Sequence, residues 1–71
     1  MNDIEITGEF IELYKLLKLE NWVASGGEAK YMISEGRVKV NGDVETRKRK
    51  KIFPGDMVEF EQESVRVKGR T

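Results

Sequence analysis

The stretch that most constrains the fold is Ser25 to Gly42, SGGEAKYMISEGRVKVNG, because its hydrophobic spacing changes within a few residues. Ser25 stands three residues ahead of Glu28, the capping-box spacing in which two orphan helix amides are satisfied reciprocally. Ala29, Met32 and Ile33 then recur at helical spacing and give the helix one apolar side. Gly36 falls where a left-handed residue ends a helix. Beyond it the period drops to about 2: Val38 and Val40 point one way, Arg37 and Lys39 the other. That pattern predicts a half-buried strand with a basic outer face.

On the helix, Gly27, Lys30, Tyr31 and Ser34 lie opposite the apolar stripe, with Glu28 and Glu35 set on one flank. Most such faces only meet solvent. This one is also small enough for a phosphate chain to approach closely. Asn41-Gly42 is the strongest turn signal in the chain. A two-residue hairpin there would set Val40 opposite Asp43, so the apolar pattern favours a longer turn pairing Val40 with Val44 and Lys39 with Glu45.

Upstream, Asp3 to Thr7 alternates, with Ile4 and Ile6 on one face of a short strand. Thr7 is the expected cap of a helix over about 8–18, with Glu9 near its positive end. Phe10, Leu13, Tyr14 and Leu17 form its apolar arc. Tyr14 therefore reads as core rather than as a base-stacking aromatic, and Trp22 with Val23 as a hydrophobic plug between the helices. Downstream, Pro54-Gly55-Asp56 is a turn with Phe53 expected beneath it. Val58 and Phe60, then Val65 and Val67, define two inward-facing strands joined as a hairpin by Glu61-Gln62-Glu63. The chain is expected to form one domain, residues 1–71, fraying at Thr71.

With 71 residues the core can only be modest. The sequence has no cysteine and no histidine, so disulfides, thiolate metal sites and the commonest general base are absent. A chain this short rarely builds a deep pocket. No catalytic residue, cofactor, metal or small-molecule substrate is expected. No apolar run approaches the ~20 residues that span a bilayer, and the N-terminal residues lack a signal-peptide pattern; a cytoplasmic location and no membrane partner are expected.

Net charge is zero, but it is unevenly placed. Residues 1–35 carry seven acids and three bases, residues 36–52 seven bases and two acids, and the remainder four acids and three bases. The local footprint governs nucleic-acid binding more than the total does. Arg47, Lys48, Arg49, Lys50 and Lys51 are consecutive. Such a run can be a phosphate-binding loop, a solvated loop or an import signal; its position between two strands of a small fold favours the first.

The series from Ser25 to Gly42, followed by the basic segment and by P-G-D-M-V (Pro54 to Val58), resembles the S-four RNA-binding domain, whose fold is the alpha-L motif. The likeness runs from about Glu9 to Phe60, and the SGG start and size are most like the small bacterial members that stand alone. It implies an α+β fold of two helices on a small, mostly antiparallel curved sheet. It also implies binding of structured RNA, typically rRNA or tRNA, along the second helix and its neighbouring loops. Matched by position, the RNA-binding residues would be Ser25, Gly26, Gly27, Lys30, Arg37, Lys39 and Arg47 to Lys51. Many members carry an arginine directly after the cap, where this chain has Gly26; the bare Gly26 and Gly27 amides, or the basic loop, would take over that contact.

The expected function is thus shape-directed docking on folded RNA, in the company of ribosomal or ribosome-assembly components. The rival reading is a protein-interaction adaptor whose basic loop engages an acidic partner within a ribosome-associated complex. Duplex-DNA recognition ranks below both, because the second helix offers few base-reading side chains.

Overall fold

The computed structural model describes residues 2–69, so the expected end at Thr71 lies outside the described residues. Among these, the elements run β1 (Asn2–Ile6), β2 (Ile11–Glu12), α1 (Leu13–Leu19), α2 (Gly26–Ser34), β3 (Val38–Val40), β4 (Asp43–Val44), β5 (Lys51–Ile52), β6 (Met57–Phe60) and β7 (Glu63–Gly69). Five strands form an open sheet in the order β1-β7-β6-β3-β4, in which only β1 and β7 are parallel. A separate antiparallel pair joins β2 to β5. The two helices pack on the main sheet, giving the expected α+β architecture.

The core follows the two periodicities. Leu13, Leu16 and Leu17 of α1 and Ala29 and Ile33 of α2 are buried, and they meet Val38, Val58, Val65 and Val67 from alternate strand positions. Removing one such leucine side chain typically costs about 2–5 kcal/mol. Of the expected plug, Val23 is buried and Trp22 is half-buried against the core, where it stacks on Phe60 of β6 at 5.9 Å between ring centroids.

Helix α2 forms where its signals place it. Ser25 Oγ accepts from the Glu28 amide at 3.1 Å, while Glu28 Oε1 accepts from the Ala24 amide at 2.8 Å, one residue before the cap. At the other end Gly36 adopts φ +76°. Its amide donates to the Ile33 carbonyl and that of Arg37 to the Met32 carbonyl, the paired bonds of a Schellman ending.

Helix α1 departs from expectation. It begins at Leu13, so Thr7 does not cap it and Glu9 is not in its first turn; Glu12 occupies the N-cap without a side-chain bond. The amides of Leu13 and Tyr14 donate instead to the carbonyls of Lys50 (2.9 Å) and Lys48 (3.1 Å). Those distant acceptors replace a local cap, and pairing of Ile11 with the buried Ile52 keeps the preceding residues extended. Phe10 consequently leaves the apolar arc and is 38% exposed. Phe53 is not inserted beneath its turn either. It is 45% exposed, and the turn is held by Asp56, whose carboxylate accepts from the Phe53 amide at 2.8 Å.

The β3–β4 hairpin is also tighter than expected: Val40 pairs with Asp43 and Lys39 with Val44 across a two-residue turn. Asn41 (φ 53°) and Gly42 (φ 89°) both take the left-handed conformation that such a turn requires. The Asn41 side chain is fixed by Asp56 and Met57 on the neighbouring strand, donating to Asp56 Oδ1 at 3.1 Å and accepting from the Met57 amide at 2.9 Å. Because β4 is an exposed edge, its apolar pattern had no core to satisfy.

Candidate nucleic-acid interface

The basic run occupies the loop between β4 and β5 and the first residue of β5. Its carbonyls are the acceptors that close α1, so the loop is tied to the helix at two points. Within the loop, the mostly covered Glu45 accepts from the Arg47 amide and from its guanidinium Nε at 2.9 Å each, and from Nη2 at 3.1 Å. These bonds hold the Glu45 carboxyl well below the ordinary carboxylate range, at about 2, and raise Arg47 in turn. Arg47 thus already has a carboxylate partner. Among the described residues, Lys48, Arg49, Lys50 and Lys51 form no ion pair.

Tyr14 joins this loop to α2. Its amide bonds the Lys48 carbonyl, and its half-buried ring carries Lys30 Nζ at 5.2 Å and Lys15 Nζ at 5.9 Å from the centroid. Gly26 sits beside the same ring and beside the Lys18 stem, with room for a side chain at ordinary van der Waals distance. The core role expected of Tyr14 holds for one side of the ring only. Its partnership with Lys30, and the presence of Lys18 at the helix start, were not foreseen. The available signal was the spacing of Tyr14 and Lys18, one helical turn apart at the margin of the apolar arc. At the head of α2, Ser25 Oγ and Glu28 already serve Glu28 and Ala24, which leaves Gly26 and Gly27 as the first-turn amides pointing toward the helix end.

Arg37 and Lys39 belong elsewhere. With Val38 and Val40 turned into the core, they fall on the outer face of the sheet, away from the helices. Arg37 Nη1 pairs with Glu61 at 3.0 Å, and Lys39 lies opposite Glu59 on β6. The residues that the resemblance marks for RNA are therefore divided: Ser25 to Gly27, Lys30 and Arg47 to Lys51 lie on the helix side, and Arg37 and Lys39 do not. Strand alternation is the reason, because residues flanking buried valines must face outward on the opposite side.

The described residues contain no cluster of three or more metal-ligating side chains, and no helix among them is long and apolar enough to cross a membrane.

A family model for the S4 domain matches residues 4–68. The chain belongs to the S4 domain family. Within it, this S4 domain is 58% identical over 57 residues to the Escherichia coli (strain K12) protein named "Putative RNA-binding protein YbcJ", a match covering 80% of this chain and 81% of that one. It is 43% identical over 60 residues to the Bacillus subtilis (strain 168) "Probable ribosome maturation protein RlbA", covering 84% of each. The solution structure of Escherichia coli YbcJ, described as an alpha-L motif involved in RNA binding, superposes with a TM-score of 0.73 at 49% identity. That superposition covers 96% of this chain and 87% of the other. The architecture of this S4 domain is accordingly the alpha-L motif, as the sequence resemblance implied.

Proposed function

We propose that this chain binds structured RNA, of rRNA or tRNA character, through the surface made by the 47–51 loop, Lys30 and the Gly26–Gly27 start of α2. The observation that carries this reading is that, among the described residues, Lys48 to Lys51 form no ion pair, on a loop whose backbone is bonded to α1. Cations left without internal partners and fixed in place exchange their counterions for phosphates at little conformational cost. The names of the S4 relatives, one for RNA binding and one for ribosome maturation, point the same way. On this reading the chain acts as a cytoplasmic binding module and not as an enzyme.

Neutralisation of about 4–6 phosphates gives a slope of roughly −3 to −5 in log K against log salt. Filter binding of a folded RNA across a salt series measures it. A flat response, or no binding at low salt, overturns the proposal. RNase treatment before a pull-down separates it from the adaptor reading, because an acidic protein partner survives that treatment and an RNA-bridged one does not.

A further inference from the structure

We infer that Phe53, with the cations around it, forms a stacking site for one unpaired nucleobase of the bound RNA; the inference rests on the RNA-binding reading above and adds the kind of RNA feature recognised. Phe10 and Phe53 pack together with centroids 5.8 Å apart and planes tilted by 47°, yet both stay well exposed. Lys51 Nζ stands 4.9 Å from the centre of the Phe10 ring and covers it. Among the described residues no cation covers Phe53, which lines an open concavity of about 440 Å³ together with Arg47, Arg49, Lys50 and Lys51.

The chemistry of that hollow selects its occupant. No acid among the described residues lines it, so cations are repelled, and a purely apolar ligand would have to strip water from four charged groups. A flat π-surface joined to an anion satisfies both halves: the base lies on the ring and its phosphates meet Arg49 and Lys50. Inside a duplex, bases are already stacked and their faces are unavailable, so the ligand is an unpaired nucleotide, such as a bulge or an overhang beside a helix. The loop ties that fix Arg47 to Lys51 also hold the hollow open before RNA arrives.

The test uses two RNA hairpins with the same number of phosphates. Each carries one unpaired terminal nucleotide, bearing 2-aminopurine in one and no base in the other. The expected result is about fivefold tighter binding of the base-bearing hairpin, the lower range for base–aromatic stacking at an exposed site, with quenching of the 2-aminopurine emission. Phe53→Leu keeps apolar bulk but loses the π-face; it should abolish both the preference and the quenching while leaving affinity for the abasic hairpin unchanged. Phe53→Trp should preserve them. Equal affinity for the two hairpins in the parent protein, or a preference that survives Phe53→Leu, overturns the stacking site and leaves the RNA-binding reading standing. Failure to bind either hairpin in a salt-sensitive way overturns both.

Discussion

Two charged surfaces of this domain contain similar numbers of bases but use them differently. On the outer face of the sheet, Arg37, Lys39, Arg66 and Lys68 stand among Glu61, Glu59, Asp3 and Glu5. Lys68 bonds Asp3 at 2.9 Å, and that contact raises the lysine above its ordinary value. Opposite charges are matched across neighbouring strands, and exposed pairs of this kind contribute little stability. On the loop beside the helices, Lys48 to Lys51 follow one another; Glu45 is committed to Arg47, and Glu12, opposite Lys51 in register, is paired with Lys15. The difference teaches that base count is a poor guide to a binding face. What counts is whether the fold delivers an acid to each base.

Replacing Lys48, Arg49, Lys50 and Lys51 together by alanine should break the contrast most severely. RNA affinity is expected to fall more than tenfold and the salt slope to flatten by about 3, with the thermal midpoint little changed because only backbone atoms of this loop bond to α1. The matching change on the sheet, Arg37, Lys39 and Arg66 to alanine, should alter affinity less than twofold in the same filter assay. A larger loss there would mean that the sheet face also meets RNA.

Gly26→Arg should sharpen the comparison from the other side. The position is open, beside Lys18 and Tyr14, and it restores the arginine many S4 domains carry after the cap. A gain of about threefold is expected, with one more phosphate in the salt slope. Freeing Arg47 is a milder step. Glu45→Gln should raise affinity about twofold, provided circular dichroism shows the loop and α1 intact. The same pair makes a pH prediction. The Glu45 carboxyl is depressed from 4.5 to about 2 in the fold, so its contribution to stability is complete above 4.5 and is lost as pH falls towards 2. An NMR titration of Glu45 should show its midpoint near 2, and Arg47→Ala should return it towards the ordinary value.

Features set by neighbours in sequence are legible in the sequence itself. The cap at Ser25, the stop at Gly36 and the inward valines of β3, β6 and β7 all carry their signals within a few residues. Features set by distant partners are not. Helix α1 starts at Leu13 because carbonyls from Lys48 and Lys50 arrive there, and β1 runs parallel to β7 although nothing in either strand encodes the other. The candidate site follows the same division. The basic run was evident, whereas its separation from Arg37 and Lys39, its link through Tyr14 and the exposure of Phe53 depend on how the strands and helices are assembled.

The two hydrogen bonds from Leu13 and Tyr14 to the loop carbonyls have a dynamic consequence. The loop cannot lift away without uncovering the first turn of α1, so any ligand that clasps it also clamps that turn. Amide hydrogens at Leu13 and Tyr14 should therefore exchange more slowly once RNA is bound, although neither backbone group touches it. Slow exchange at these two positions would be a remote reporter of occupancy, built into the way one helix is begun.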